Sequence, residues 1–305
     1  MSASEPLWRR AISGAQILFV AFGALVLVPI LTGLDPSLAL LGAGVGTLIF
    51  QALTGRQVPI FLGSSFAFIA PIIYSVQTWG VPATMGGLAC ASLMYFVLAA
   101  LVRRHGADFI HRMMPPVVIG PIIMIIGLSL AAVAVNLAMG KTGDGKAELM
   151  SYGTSLVLAG ISLAVTIGVS VWAKGFFRLV PILAGVGAGY LAAVLLGLVD
   201  FSQVAEAPWI AMPQFVTPEW NIAAILFMIP VALAPAIEHV GDVIAIGGVT
   251  GKDYTEKPGL HRTLAGDGAA VAVAGFIGGP PVTTYSEVTG AVMLTKNYNP
   301  AIMTW

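Results

Sequence analysis

Long apolar stretches separated by short polar loops run along almost the whole chain. A helix needs about 20 apolar residues to cross the roughly 30 Å hydrocarbon core of a bilayer. That length predicts ten membrane spans, near residues 15–33, 37–54, 60–78, 83–102, 115–138, 152–173, 177–199, 222–248, 262–279 and 281–296. A further apolar run begins at Ala301 and stops at Trp305, so we expect a chain cut short at the start of an eleventh span.

Two of these stretches lack the pattern of a plain helix. Residues 58–66 carry a proline and a Gly-Ser-Ser break, and residues 278–287 carry two glycines and two prolines before an apolar run. Each pattern predicts an extended segment followed by a helix. Non-helical backbone at membrane depth is tolerated only where protein or a water-filled cavity surrounds it. The alternative is a re-entrant loop or a long external turn.

The spacing of the two broken segments predicts an internal symmetry. They lie in predicted spans three and ten, seven spans apart. Because seven is an odd number, the chain runs through the membrane in opposite directions in these two spans. An inverted repeat of seven-span units gives this arrangement, and paired breaks in two halves point to a transporter's midplane site. Glycines spaced by four, Gly42 with Gly46 and Gly185 with Gly189, are predicted to let helices approach closely.

The composition excludes a water-soluble protein. Charged residues make up 9% of the chain and hydrophobic residues 58%, with a mean hydropathy of +0.93. Soluble domains usually have about 25% charged and about 45–50% apolar residues. Soluble α/β, nucleic-acid-binding and disordered classes are therefore excluded, and the predicted fold class is an all-α polytopic membrane protein with short strands in spans three and ten. The single cysteine, Cys90, excludes a disulfide framework.

The positions of the basic residues predict the orientation in the membrane. If the N-terminus is cytoplasmic, all of the 14 Lys and Arg residues except Lys141 and Lys146 fall on the inner side. An excess of Lys and Arg in cytoplasmic loops is the distribution expected of inserted helices. The sequence therefore predicts a multi-pass protein with a cytoplasmic N-terminus.

Four acids fall inside predicted spans, where an ionised side chain costs about 2.5–3.5 kcal/mol on insertion scales. They are Glu238, Asp242, Asp267 and Glu287. We interpret them as facing a functional cavity; the alternative is that they are buried, paired or protonated and only specify packing. Glu238 and Asp242, four residues apart, share a helix face, whereas His239 is predicted to point elsewhere. Two carboxyls this close in low dielectric do not both ionise, so the pair is a candidate proton carrier.

The acids and the two breaks together predict the chemistry of a ligand. Glu238 and Glu287 would accept hydrogen bonds, and the helix starts at Phe66 and Ser286 would donate them from free backbone N–H groups. Phe66 and Tyr285 would supply an aromatic wall. A small, flat oxo-pyrimidine or oxo-purine satisfies these demands, whereas carboxylates repel an inorganic anion. The sequence has no His-Glu-x-x-His, Cys-pair or Gly-x-Ser-x-Gly motif, so we predict neither an enzyme nor a metal or organic cofactor.

The whole chain from about Gln16 resembles the nucleobase–ascorbate transporter family, and within it the bacterial uracil and uracil/xanthine permeases. The stretches that carry the resemblance are Phe22-Gly23-Ala24 through Val28-Pro29, Leu62–Pro71, Pro115-Pro116, Glu238-His239-Val240-Gly241, Pro258–Arg262 and Thr283-Thr284-Tyr285. By position, the resemblance implies that Glu238 and Glu287 hydrogen-bond a base. It also implies that backbone N–H groups at Phe66 and Ser286 meet the base's carbonyls, and that Phe66 and Tyr285 lie against its ring.

The resemblance further implies an architecture and a mode of energy coupling. The fold would be two inverted seven-span repeats, with a core domain in residues 1–104 and 222–305 and a gate domain in residues 105–221, the remaining gate spans being absent. Glu238, Asp242 and Asp267 would couple transport to protons, with the proton as coupling ion and no other cofactor. The protein would be a homodimer in the lipid bilayer of a bacterial inner membrane.

Several positions depart from the family pattern. Val282 and Val288 stand where the family usually has asparagine, and Ile17 stands where a histidine commonly follows the span-one glutamine. Asp242 occupies a position at which uracil permeases often carry histidine and purine-type members carry aspartate. Asp267 resembles a span-nine aspartate of xanthine and urate transporters.

The leading hypothesis is a proton-coupled uracil symporter that works by alternating access between core and gate domains. The first alternative is xanthine or another oxo-purine as substrate, because of Asp242 and Asp267. A second is the related fold of sulfate and bicarbonate transporters, whose site would lack glutamates. A third is a channel or an intramembrane enzyme.

Overall fold

A computed structural model describes the chain as mostly helical. It covers residues 7–106, 109, 112, 115–174, 177, 180–208 and 211–305, and describes only the backbone of residues 9, 116, 203, 286, 287, 294 and 295. The helices and strands are α1 (Leu7–Thr32), α2 (Pro36–Leu53), β1 (Leu62–Ser64), a 3₁₀ turn (Phe66–Phe68), α3 (Ile69–Trp79), α4 (Val81–His105), α5 (Pro116–Ala138), α6 (Tyr152–Trp172), α7 (Pro181–Leu195), α8 (Ser202–Glu206), α9 (Ile222–Val231), α10 (Leu233–Thr250), a π turn (Thr255–Gly259), α11 (Leu260–Ile277), β2 (Val282–Thr284), α12 (Ser286–Thr295) and a 3₁₀ turn (Pro300–Thr304).

Within this described part, six helices are long and apolar enough to cross a membrane. They are Arg10–Thr32, Pro36–Leu53, Val81–His105, Val117–Ala138, Tyr152–Trp172 and the nearly continuous Ile222–Thr250, with Phe66–Trp79 and Pro181–Leu195 as shorter apolar helices. The helices coincide with the apolar stretches of the sequence. The chain is therefore a multi-pass membrane protein.

The sequence pattern also contains the signals that begin these helices. Asp35 precedes α2, and its carboxylate accepts a hydrogen bond from the backbone N–H of Ser37 at 2.7 Å. Pro36 follows at the first helical position, where its missing N–H leaves nothing unpaired. Asn221 caps α9 in the same way, through the backbone N–H groups of Ala223 and Ala224.

The predicted span 222–248 is not one uninterrupted helix. It divides at Ala232 into α9 and α10. Pro230 lies in the last turn of α9 and Pro235 near the start of α10. Because proline has no backbone N–H and its ring crowds the preceding turn, two prolines five residues apart interrupt the helical ladder there. The predicted span coincides with these two helices, and the division at Ala232 was not predicted.

Both broken stretches are extended first and helical afterwards, as the sequence predicts. β1 and β2 pair antiparallel, with Leu62 opposite Thr284, Gly63 opposite Thr283 and Ser64 opposite Val282. A helical segment follows each strand directly. Because the strands are antiparallel, the two helices leave the strand pair in opposite directions and their N-termini face each other across it. We call this arrangement the strand crossing.

The contacts that bury the strand crossing belong to one compact unit, Met1–Gly127 with Phe215–Trp305. In this unit α11 packs between α2 and α4. Glycines on α11 make the packing close: a Cβ built at Gly266 would lie 2.9 Å from the Phe50 ring of α2, and one at Gly275 would lie 2.6 Å from the Ala89 backbone of α4. Small residues of this kind let membrane helices pack backbone to backbone.

The second compact unit is Leu128–Gln214. In it α6 packs against α7. A Cβ at Gly185 would meet the backbone oxygen of Ser162 at 2.7 Å, and one at Gly189 would collide with the Ser162 hydroxyl. The glycine pair spaced by four on α7 therefore makes the close helix contact that the sequence predicts.

Candidate functional site

Polar side chains from neighbouring helices hold the strand crossing at its buried position. The Thr47 hydroxyl on α2 accepts from the backbone N–H of Leu62 at 3.0 Å, and the Gln51 amide donates to the Val58 carbonyl at 2.9 Å. The Ser64 hydroxyl donates to a backbone carbonyl of α1, that of Leu25, at 3.2 Å. A two-stranded ladder leaves backbone groups unpaired, and these side chains take the place of water at membrane depth.

Thr47→Val is expected to destabilise the fold by about 1–3 kcal/mol, because it leaves the buried Leu62 N–H without an acceptor while keeping the side-chain shape. The unfolding midpoint in detergent measures the effect. Thr78→Val is the matched control, since the exposed Thr78 hydroxyl bonds only to the Tyr74 carbonyl of its own helix. Equal midpoints for the two variants would contradict the role given to Thr47.

Two aromatic rings lie at the strand crossing. Phe66 begins the helical segment after β1, and Tyr285 precedes the helix after β2. Their ring centroids are 6.3 Å apart and their planes are inclined by 34°. The Tyr285 ring covers Gly63, at which a Cβ would lie 2.7–2.9 Å from three ring atoms. A residue without a side chain is therefore required at position 63 for the ring to occupy this place.

Both helical segments of the strand crossing begin without a side-chain cap. Neither Ser65 nor Tyr285, the N-cap residues, makes a capping hydrogen bond from its side chain. The Ser65 hydroxyl is buried and has no hydrogen-bond partner in the described part of the chain. First-turn N–H groups of a helix have no partner within the helix, so they are donors that a ligand carbonyl can use.

A buried polar cluster lies behind β2. The Thr284 hydroxyl donates to Asp242 Oδ2 of α10 at 2.8 Å and lies 3.3 Å from Nδ1 of His239. The same Nδ1 lies 3.3 Å from Oδ2 of Asp267 on α11, and both of those side chains are completely buried. Tyr95 of α4 is completely buried and packs against Gly268, the residue that follows Asp267 on α11. The structure thus gathers two of the four predicted intramembrane acids into one cluster.

His239 lies beside Asp242, a neighbour that the sequence pattern did not predict. It precedes Asp242 by three positions, and this spacing also places two side chains on neighbouring positions of a helix surface. Through the hydroxyl of Thr284, His239 and Asp242 share a partner. Neither His239 nor Thr284 was predicted as a site residue. A hydroxyl in the extended segment and a histidine inside an apolar helix are the signals that could have identified them.

Glu238 lies on α10 one turn before Asp242 and is half-buried. Its helix contacts both β2 and α12. The side chains of Ser286 and Glu287 lie outside the described part of the molecule, although their backbone forms the first turn of α12. That Glu238 and Glu287 both accept hydrogen bonds from one ligand therefore stays a prediction. Among the described residues, no group of three or more His, Cys, Asp or Glu side chains has the geometry of a metal site.

Comparison with known sequences identifies the family. The model of the Permease family matches residues 9–305. The chain belongs to this family. The predicted resemblance to nucleobase–ascorbate transporters is thereby confirmed, and the family is one of permeases.

Relatives of this permease cover nearly all of its length. It is 57% identical to "Probable uracil permease" of Haemophilus influenzae over 305 residues, which are 100% of this chain and 72% of the relative. It is 44% identical to the uracil permease of Bacillus caldolyticus, covering 94% of this chain and 67% of that one. It is 35% identical to the uracil permease of Escherichia coli K12, covering 98% and 69%.

A solved structure shows the fold of the permease independently. The transmembrane domain of the cyanobacterial bicarbonate transporter BicA matches with a TM-score of 0.68, over 99% of this chain and 80% of that one. The sequence identity is 14%, so the likeness concerns the fold alone. Together with the apolar helices, it shows the fold of a transporter transmembrane domain.

Proposed function

We propose that this protein is a proton-coupled symporter that carries uracil across the bacterial inner membrane. The observation that carries the proposal is the strand crossing, at which two uncapped helix starts and the rings of Phe66 and Tyr285 meet beside the helix of Glu238. The names of the relatives, which are uracil permeases at 35–57% identity, support uracil as the base.

In the proposed binding mode, the base lies at the strand crossing against Phe66 and Tyr285. Glu238 and Glu287 accept hydrogen bonds from its ring N–H groups. The backbone N–H groups of Phe66 and Ser286 donate to its two carbonyl oxygens. A flat ring with alternating N–H and C=O groups uses all of these partners at once, and hydrogen bonds to ionised carboxylates are stronger than those between neutral groups.

The proposed coupling to protons uses Glu238, Asp242 and Asp267. Asp242 and Asp267 are buried on adjacent helices, and Glu238 lies one turn away on the helix of Asp242. Carboxyls at membrane depth are the groups by which transporters bind and release protons. Proton entry from outside would then drive the accumulation of the base inside.

We propose the architecture of two inverted seven-span repeats, with residues 1–104 and 222–305 in a core domain and residues 105–221 in a gate domain. The position of the compact unit Leu128–Gln214 within the gate range supports this division. The antiparallel pairing of β1 with β2 supports inverted repeats, because it is the arrangement expected of two breaks related by a two-fold axis in the membrane plane. A cytoplasmic N-terminus and a homodimer complete the proposal.

Uptake of labelled uracil into proteoliposomes tests the proposal. An inward proton gradient is expected to drive accumulation above the external concentration, and a protonophore is expected to abolish it. Uptake that is saturable but indifferent to the gradient would contradict proton coupling. Uptake that does not saturate would contradict a carrier altogether.

A second candidate substrate is xanthine, favoured by the presence of Asp242 and Asp267. We expect unlabelled uracil to compete with labelled uracil about 10-fold more strongly than xanthine. Xanthine carries a second ring, and a site shaped for a single ring loses about 1–3 kcal/mol of binding free energy when an added group fits poorly. Competition curves for the two bases measure the preference. Stronger competition by xanthine would reassign the substrate while leaving the site in place.

A further inference from the structure

When Asp242 is ionised, the contacts of Thr284 assign the position of its hydroxyl hydrogen. A hydroxyl has one hydrogen, and an ionised carboxylate can only accept. The 2.8 Å contact therefore uses the Thr284 hydrogen to reach Asp242. The Thr284 hydroxyl oxygen also lies 3.3 Å from Nδ1 of His239, toward which it can act only as an acceptor.

The same reasoning assigns the hydrogen on His239. Its Nδ1 lies 3.3 Å from Asp267 Oδ2 as well as 3.3 Å from the Thr284 oxygen, and both are acceptors in this arrangement. If Nδ1 carried no hydrogen, its lone pair would face lone pairs of the Thr284 oxygen and of Asp267 Oδ2. Three acceptors would then meet in a completely buried space without a donor. With Asp242 and Asp267 ionised, the geometry thus points to a hydrogen on Nδ1, which lies 3.3 Å from both oxygens.

Protonation of Asp242 on Oδ2 would change every donor in this chain of contacts. Asp242 then becomes a donor toward Thr284, and the hydrogen of Thr284 points elsewhere. The neighbouring acceptor is Nδ1 of His239, which can accept only after its own hydrogen has moved to Nε2. The protonation of Asp242 and the tautomer of His239 are therefore linked through a single hydroxyl group.

We propose that Thr284 and His239 are positioning residues that link the protonation of Asp242 to the strand crossing and to Asp267. Thr284 is the last residue of β2 and directly precedes Tyr285, so a change at its hydroxyl acts on the backbone beside the ligand. The proposal rests on the proposed function, because it takes Asp242 and Asp267 as the proton-coupling acids.

Among the side chains that the structure describes, the charged and titratable groups around the cluster come from three helices. α10 contributes Glu238, His239 and Asp242, α11 contributes Asp267, and α4 contributes Tyr95, which packs against Gly268 of α11. The Phe50 ring of α2 meets the His239 ring edge-on at a centroid distance of 6.3 Å and carries no charge. Thr284 hydrogen-bonds Asp242 and also contacts His239.

Thr284→Val removes the hydroxyl and keeps the shape, Thr284→Ser keeps the hydroxyl, and Thr283→Val is the control. Thr283 is buried in the same strand, but consecutive strand residues face opposite sides. In proteoliposomes, Thr284→Val is expected to slow proton-driven uracil uptake about 10-fold, the effect of losing one hydrogen bond to a carboxylate. It should move the pH midpoint of uptake by about one unit while uracil affinity stays within about threefold. Thr284→Ser and Thr283→Val should retain the wild-type midpoint.

Infrared difference spectra recorded against pH give a readout that does not depend on transport. The carbonyl band of protonated Asp242, assigned with Asp242→Asn, should change frequency in Thr284→Val and not in Thr283→Val, since the band responds to the hydrogen bond. An unchanged band, an unchanged pH midpoint, or failure of Thr284→Ser to restore the wild-type midpoint would overturn the proposal. Absence of nucleobase uptake by the wild-type chain would overturn the proposed function instead, and the infrared titration would still decide the role of Thr284.

Discussion

Glu238→Gln is expected to abolish the accumulation of uracil against a gradient and to weaken uracil binding about 100-fold. Glutamine has the shape of glutamate but no charge, and it turns one of the two acceptor oxygens into an N–H donor that opposes the ring N–H of the base. A lost hydrogen bond to a charged group costs about 1.5–3 kcal/mol, and the repulsion between two donors adds to it. Uptake and equilibrium binding of labelled uracil measure the two effects separately.

The matched control for this substitution is Glu206→Gln, the same chemical change at an exposed residue at the end of α8. It should leave binding and accumulation at wild-type values. If Glu238→Gln still concentrated uracil in the proteoliposome lumen, Glu238 could not be the ligand and proton carrier that we propose. If it bound uracil normally but no longer accumulated it, the residue would serve coupling and not recognition.

The strand crossing is the part of the fold that the sequence predicts best. Extended segments followed by helices were predicted at 58–66 and 278–287 because glycine, proline and β-branched residues interrupt runs that are otherwise long enough to span. β1 and β2 lie in those segments. The signal is strong because an apolar helix in a membrane has few reasons to contain such breaks.

The break at Ala232 was missed although Pro230 and Pro235 are visible in the sequence. Prolines are tolerated in membrane helices, since neighbouring helices and local adjustments satisfy the freed backbone groups. Pro29 shows this tolerance, because α1 continues through it without interruption. A proline alone thus does not distinguish a kink from a division into two helices, and the contacts that decide between them are tertiary.

The candidate site was predictable by residue type and only partly by arrangement. The intramembrane acids stand out because charge is rare at membrane depth, and Asp242 and Asp267 are buried in one cluster. Which groups partner them was not predictable, because His239, Asp267 and Thr284 come from two helices and a strand separated by 28 and 45 residues along the chain. Helix periodicity describes neighbours on one element and contains no information about a hydroxyl that another element supplies.

Gly63→Ala is expected to weaken uracil binding about 10-fold or more while the protein remains folded. The added Cβ would lie 2.7, 2.8 and 2.9 Å from three atoms of the Tyr285 ring, whereas carbon atoms in contact prefer about 3.5–4.0 Å. Gly63 is in regular extended backbone, so alanine fits its conformation and the space is the obstacle. The Tyr285 ring has to move away from β1. Its position relative to the Phe66 ring at the proposed binding site therefore changes.

The destabilisation expected from such overpacking is about 1–3 kcal/mol, so binding and folding must be measured on the same samples. Calorimetric titration with uracil gives the affinity, and the unfolding midpoint without ligand gives the stability. Gly44→Ala is the matched control, since Gly44 lies in α2 and a Cβ there would meet no atom of another described element within 4 Å. It should bind uracil normally and gain about 0.5–1 kcal/mol from the higher helix propensity of alanine. Normal uracil affinity in a folded Gly63→Ala variant would show that the place of the Tyr285 ring does not matter for the base.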